Sequence, residues 1–367
     1  MIKEKKVAIV YDWLDKWGGV ERVLLTLHEM FPEAVFFTSV YDKSRAPWTK
    51  DMRVETSFMQ GLPRFIKENR ILSLPFYGPA FESLNLSEYD LVISVTSSFA
   101  KAIVTKPGTF HICYLLTPSR FLWSHQRKYF KKNYLNGLVL NYLRNWDKVA
   151  AHRPDRILSI SETVKKRCLK YYGIKAPVVY PPFDVEYWKS IKAGINNSHK
   201  LIKSGYFLVV SRLESYKNVD IVLRAFRRLK DRLIIIGEGT MSEELKSMGG
   251  KNVSFLSKVS DSQLGYLYKN SRALIMPQEE DFGYVSLEAQ FFGTPVISHK
   301  KGGATETVIE GKTGIFFDSQ SEKLLRQAIA RFKRIEYNLK TNAKLIGPKT
   351  VLRFGKNKFM EELKKNL

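Results

Sequence analysis

Cysteine is nearly missing from this 367-residue chain: only Cys113 and Cys168 occur, far apart in sequence. That scarcity excludes a disulfide framework and a thiolate zinc cluster. Long apolar runs are missing too, and none approaches the roughly 18–20 residues that a membrane-spanning helix requires. The first apolar stretch, Val7 to Tyr11, stops at Asp12 and is too short for a signal-peptide core. The six histidines are scattered and no Asp-x-Asp tripeptide occurs, so a catalytic metal is not expected. Acids are the minority charge: 36 Asp and Glu stand against 60 Lys and Arg, a formal net charge of +24. At 44% hydrophobic residues the composition is still globular, which excludes a disordered basic tail. The expectation is a soluble, cytoplasmic protein with an anionic partner. Nucleic acid, an anionic membrane face and phosphorylated small molecules satisfy the charge equally well.

The length exceeds what one hydrophobic core serves and suits two domains. Short apolar runs alternate with helical patterns, beginning with Val7–Tyr11, Val35–Thr38, Leu91–Ser94, Ile112–Leu115, Ile157–Ile160 and Val178–Tyr180. The series restarts at Tyr206–Val210 and continues through Leu233–Ile236, Val253–Phe255, Leu274–Met276 and Val296–Ile297. Continuous apolar strands between amphipathic helices predict parallel sheets covered on both faces. Ser159-x-x-Glu162 reads as a capping box for a helix that Gly173 stops. Val219, Val222, Leu223 and Phe226 have the spacing of a core-facing helix over 218–228. The fold class expected is α/β with two doubly wound, Rossmann-like domains facing each other across a cleft. Their expected bounds are 1–185 and 200–345, with a hinge near 181–203 and a C-terminal helix, about 346–367, packing back on the first domain. Ligands of such sheets bind at the carboxyl ends of the strands.

Three constellations carry chemistry. Glu280-Asp-Phe-Gly-Tyr-Val-Ser-Leu-Glu288 follows the strand ending at Met276. Glu280 then sits at the strand's carboxyl end, and Phe282-Gly283 opens a helix whose free N–H groups favour an anion. Glu288 can accept from a diol such as a ribose; two solvated acids beside a helix start are the plain alternative. In Ser211-Arg-Leu-Glu-Ser-Tyr-Lys217-Asn218, Arg212 and Lys217 share a loop before a helix capped by Asn218. Two cations and a helix N-terminus can hold a diphosphate without a metal, although a basic surface loop has the same composition. Gly18-Gly19 lies in a strand-to-helix turn that admits close approach of a phosphate or sugar. Gly237-Glu-Gly239 is only a fragment of a dinucleotide fingerprint, and a tight-turn role accounts for both glycine pairs.

Taken in order, these segments resemble the family-4 retaining glycosyltransferases of GT-B fold. The resemblance runs through Tyr11-Asp-Trp13, Gly18-Gly-Val-Glu21, Thr117-Pro-Ser-Arg-Phe-Leu-Trp123, Ser159-Ile-Ser161 and Tyr180-Pro-Pro182. It continues through Ser211-Arg-Leu213 with Lys217, Glu280 to Glu288, Gly293-Thr-Pro-Val-Ile297 and Gly302-Gly303…Glu306…Gly311…Gly314. The front motifs look most like the bacterial mannosyltransferase branch that builds O-antigen and other surface polysaccharides. That resemblance implies transfer of a hexose, mannose from GDP-mannose first, from a nucleotide-sugar donor with retention and without metal or other cofactor. It casts Glu280, Arg212 and Lys217 as catalytic. It assigns Gly18, Gly19, Lys258, Val259, Phe282, Gly283, Tyr284, Val285 and Glu288 to the donor, with Lys258 and Val259 bordering the base. The chain departs from the branch at Leu116, where a histidine usually precedes Thr-Pro. Leucine relays no proton, so no side chain is named as a base.

Family acceptors are commonly lipid-linked and held by the first domain. The segments 63–77 and 126–144 mix cations with aromatic and aliphatic residues, as a helix lying on an anionic membrane does. The expectation is therefore a lipid-linked or polysaccharide acceptor, peripheral attachment at the inner face of the cell membrane, and no nucleic-acid partner. Alternatives from the same residues are a UDP-sugar transferase, or a catalytically weak relative binding nucleic acid or membrane.

Overall fold

A computed structural model describes residues 5–124, 134–193 and 204–367. The chain separates into two compact units, Met1–Pro182 with Phe359–Leu367, and Phe183–Lys358. Each is built on a six-stranded, all-parallel sheet.

The first sheet comprises β1 (Val7–Tyr11), β2 (Val35–Thr38), β3 (Arg53–Thr56), β4 (Leu91–Thr96), β5 (Phe110–Leu115) and β6 (Arg156–Ser159). Their order is β3-β2-β1-β4-β5-β6. The second sheet comprises β7 (Tyr206–Val210), β8 (Arg232–Ile236), β9 (Val253–Leu256), β10 (Ala273–Met276), β11 (Val296–His299) and β12 (Gly314–Phe317), in the order β12-β11-β10-β7-β8-β9. Every residue of β1, β2, β4 and β10 is buried, because helices cover both faces. In both sheets the chain adds two strands to one side of the first strand, then returns to its other side. The reversal falls between β1 and β4 in one unit and between β7 and β10 in the other, where loops diverge and leave room for a ligand.

Several details differ from the sequence reading. Sequence gave no sign of β3, an edge strand whose Arg, Val, Glu and Thr are alternately exposed and half-buried, so it carries no apolar run. It also gave none of β12, which hides in a glycine-rich stretch that reads as turns. Val178–Tyr180 is not a strand: Val178 makes one isolated bridge to Ser159, and the prolines at 177, 181 and 182 supply no N–H for a ladder. The capping residue of helix Glu162–Tyr172 is Ser161, whose hydroxyl accepts from the Val164 N–H at 3.1 Å, while Ser159 ends β6. Gly173 does stop that helix, at φ 76°. Residues 346–367 are not one helix. Positions 346–352 finish the 31-residue helix Glu322–Leu352, and a separate helix follows at Lys356–Lys364. Phe359 then lies edge-on to Tyr114 of β5, and Arg156 donates to the Asn366 carbonyl at 3.0 Å.

Candidate functional site

In the second unit the two cation- and acid-bearing loops follow β7 and β10, the strands flanking the reversal point. Adjacency in the sheet therefore brings together residues sixty-three positions apart in the chain. The Lys217 ammonium lies 2.5 Å from Glu280 Oε1, and the two side chains are only 10% and 21% exposed. Gln278, itself buried, donates its amide to the same Glu280 oxygen at 3.0 Å. Arg212 sits at the rim of this pair, exposed, donating to the Tyr216 hydroxyl at 2.6 Å with its guanidinium 5.9 Å from that ring. Asn218 begins the helix Val219–Phe226 in left-handed backbone (φ 53°) without a side-chain cap, so the cap expected of its side chain is not formed. The two faces of the loop thus present an ammonium, a guanidinium and a helix start, a combination suited to phosphate oxygens.

Gly283, at φ 90°, starts the helix Tyr284–Phe291. Phe282 is buried and packs edge-on against both Tyr284 and Phe354, fixing the turn from below. One turn into the helix Glu288 is buried, and Tyr268 donates to its Oε2 at 2.9 Å. Val285 is half-buried on the same helix. Lys258 (exposed) and Val259 (half-buried) lie in the loop leaving β9, at the edge of the sheet away from β10. The structure therefore gathers Arg212, Lys217, Glu280, Phe282, Gly283, Tyr284, Val285 and Glu288 around the β7–β10 reversal, with Lys258 and Val259 two strands along. Gly18 and Gly19 belong to the first unit, at the start of helix Gly19–Met30 after β1.

Two glycines read in sequence only as turn residues hold these loops in place. Gly237 (φ 144°) lies so near the Ser211 carbonyl that an added Cβ would stand 1.9 Å from its oxygen. The Ser211 and Leu213 N–H groups bond to the carbonyls of Ile236 and Glu238 at 3.0 and 2.9 Å, so the Gly237 turn is the wall against which the Arg212 loop is laid. Gly302 (φ 72°) does the same for the other loop: it bridges to Glu280, and a Cβ there would meet the Glu280 carbonyl oxygen at 2.2 Å. Sequence marked these glycines as turn positions but not the loop each one walls. Gln278 and Tyr268 gave no signal at all.

The first unit has a corresponding arrangement at its own reversal point. Asp12, fully buried at the end of β1, accepts from Thr96 Oγ1 at 2.7 Å and from the N–H groups of Ser97, Phe99 and Ala100 at 2.8–2.9 Å. One carboxylate thereby shapes the whole loop after β4. Glu21, buried in the first turn of helix Gly19–Met30, has its acidity weakened chiefly by that burial. Further along, the buried ion pair Lys101–Asp147 (2.6 Å) also engages Ser119, Trp123 and Tyr172, locking the segment after Thr117-Pro118. Leu116, just before Thr117-Pro118, is buried as well. His111 offers no replacement for a base there. It is buried near the start of β5, bonded to the Ser94 hydroxyl at 2.8 Å, and desolvation pushes its pKa down to about 3. His125 lies outside the described residues.

Comparison with known proteins completes the picture. The family described as Glycosyltransferase Family 4 matches residues 17–187, and that described as Glycosyl transferases group 1 matches 195–348. An alpha-1,3/1,6-mannosyltransferase, alg-2, of Neurospora crassa is 29% identical over 179 residues, covering 37% of this chain and 38% of that protein. A GDP-mannose-dependent alpha-(1-6)-phosphatidylinositol monomannoside mannosyltransferase of Mycobacterium tuberculosis is 26% identical over 199 residues, covering 48% and 52%. The chain thus matches about half or less of the length of these curated relatives. Among solved structures, Anabaena Alr3699/HepE in complex with UDP superposes with TM-score 0.74 at 17% identity, over 98% of this chain and 99% of that one. Sucrose-phosphate synthase of Thermosynechococcus elongatus superposes with TM-score 0.73 at 16% identity, over 99% of both. At such identities the superpositions speak for the fold alone.

Proposed function

This chain belongs to the family-4 glycosyltransferases, an α/β protein of GT-B fold, and from that premise we propose that it transfers a hexose from a nucleotide diphosphate sugar to an acceptor hydroxyl. The observation that carries the reading is the Lys217–Glu280 pair, with Arg212 beside it, at the β7–β10 reversal. A diphosphate leaving group gains negative charge as the glycosidic bond lengthens, and preorganised cations with a helix start stabilise that charge most where it develops. In this scheme Lys217 and Arg212 hold the diphosphate, Glu288 accepts from the ribose hydroxyls, and Glu280 faces the sugar with the Phe282-Gly283-Tyr284 backbone. The donor C1–oxygen bond breaks and the acceptor oxygen bonds C1 from the same face. The acceptor proton passes to the departing phosphate oxygen, so configuration is retained and neither a protein base nor a metal is needed. That route is compatible with a buried leucine at 116.

The donor we assign is GDP-mannose, a choice supported by mannosyltransferases among the relatives. The acceptor is lipid-linked or a polysaccharide, met at the inner membrane face by the basic first unit. No helix among the described residues is long and apolar enough to cross a membrane, so attachment in this reading is peripheral. The test is a nucleotide panel. Saturable thermal stabilisation by GDP, with hydrolysis of GDP-mannose in the absence of acceptor, is the expected result. Response to UDP and UDP-sugars alone would replace the donor, and no response to any nucleoside diphosphate would overturn the reading.

A further inference from the structure

The loop leaving β10 alternates as an extended chain does: Gln278 is buried, Glu279 exposed and Glu280 half-buried. Side chains two positions apart then share a face, which sets Gln278 beside Glu280. The backbone is clamped on both sides of them. The Pro277 carbonyl accepts from the Gln320 amide at 2.9 Å, and the Glu280 carbonyl accepts from the Gly303 N–H at 2.8 Å. Gln278 itself is only 2% exposed. A carboxylate only accepts, so the amide meets it through its N–H: Nε2 donates to Glu280 Oε1 at 3.0 Å. The other half of the amide, Gln278 Oε1, is buried and has no hydrogen-bond partner among the described residues.

A buried carbonyl without a donor is a standing cost, which an apolar side chain of the same length would avoid. Packing therefore does not account for an amide at 278. What the amide supplies is a second donor on the oxygen that the Lys217 ammonium also contacts, at 2.5 Å. The two donors differ in how a bound diphosphate would affect them. Phosphate oxygens compete with Glu280 for the charged ammonium. The amide is neutral and shut away from solvent, so an anion does not draw it off.

We propose that Gln278 is a positioning residue of the transfer reaction, holding the Glu280 carboxylate in place while Lys217 turns its charge to the donor diphosphate. This assignment rests on the transferase reading. Gln278 touches neither substrate; it acts through Glu280. Without it, Glu280 loses its orientation at the moment the ammonium is shared with phosphate.

Gln278→Met and Gln278→Leu fill the space without the donor, and two measurements on them test the assignment. Calorimetry with GDP, which has no sugar for Glu280 to face, should give affinities close to the parent's and shows that the variants are folded. Hydrolysis of GDP-mannose, or of UDP-glucose should the nucleotide panel favour UDP, should lose about tenfold or more in kcat, the scale of a hydrogen bond to a charged group. In a Glu280→Ala background, Gln278→Met should cost no further turnover, because the group it acts through is gone. Three outcomes would overturn the assignment: parental turnover in both single variants, GDP affinity falling by the same factor as kcat, or a further tenfold loss in the Glu280→Ala background. The second would make Gln278 a purely structural residue, and the third would give it a target other than Glu280. A parent that binds neither nucleotide and hydrolyses neither donor overturns the transferase reading and takes this proposal with it. A parent that turns donor over at the rate of its Gln278 variants overturns this proposal alone.

Discussion

Lys217 Nζ stands 2.5 Å from Glu280 Oε1 although neither residue's neighbours in sequence suggest the other. The contact exists because β7 and β10 are hydrogen-bonded neighbours, so the loops leaving them meet. A largely buried pair of this kind is costly to break from one side, since the survivor keeps its charge without its partner. In the proposed reaction the carboxylate keeps the ammonium oriented for the donor diphosphate.

Removing either member should therefore cost folding stability as well as turnover. Lys217→Ala is expected to lower kcat by ~10²–10³-fold, the scale for losing one preorganised charge stabiliser. Glu280→Gln should cost a comparable factor, and the double variant less than the product of the two, since coupled residues depart from additivity by about 0.5–3 kcal/mol. Donor-hydrolysis kinetics on all four proteins read this out. Multiplicative losses would mean the two act independently.

In the proposed reading Glu288 accepts from the ribose diol, and Tyr268 donates to one of its oxygens at 2.9 Å. Glu288→Ala should weaken GDP binding about tenfold or more, as expected for loss of a hydrogen bond to a charged group. The sharper check is calorimetry with 2′-deoxy-GDP. The parent should prefer GDP, and the variant should bind both alike.

Gly237 and Gly311 separate collision from backbone strain. Both have positive φ, but a Cβ at 237 would stand 1.9 Å from a backbone oxygen, whereas at 311 nothing lies within 4 Å. Gly311→Ala should cost only about 1 kcal/mol, the strain of the left-handed region alone. Gly237→Ala must also push the Arg212 loop away, and should cost more than ~2 kcal/mol and weaken GDP binding as well. Urea unfolding of the two variants compares them directly.

His111 makes the first unit acid-sensitive. Its folded pKa, about 3, lies below the ordinary value of 6.5 because burial disfavours the imidazolium. Between those two values the unfolded chain binds the extra proton, so stability is full above pH 6.5 and falls as pH drops toward 3. The slope from this one group reaches at most about 1.4 kcal/mol per pH unit. His111→Gln, which keeps a partner for Ser94, should flatten the acid limb of a stability-versus-pH curve. An unchanged limb would assign acid sensitivity elsewhere.

Most strands were legible in the sequence because a parallel sheet covered on both faces demands unbroken apolar runs, and β1, β2, β4, β7 and β10 supply them. β3 stayed invisible because an edge strand need not be apolar. The stretch at 63–77, expected to lie on a membrane, is mixed: Tyr77 is core, while Phe65, Ile71 and Leu72 are exposed. In its companion at 126–144, residues 126–133 lie outside the described structure; beyond them Leu138, Val139 and Tyr142 are exposed. Loop chemistry was legible as residue types at strand ends. Gln278 and Tyr268 were not, since a polar residue next to a strand or on a helix has no period that marks its target.

By itself the sequence determined the α/β class, the two-part division and the residues able to meet a phosphate, because burial, periodicity and charge are local properties of a chain. Strand order was not local. Only the tertiary structure decided that β10 returns beside β7, which places Glu280 on Lys217, and that two glycines wall in those loops. It also brought the cations of the loop after β2, Lys43 and Arg45, beside those of the helix Arg64–Glu68 and of Arg70 in one cavity of the first unit.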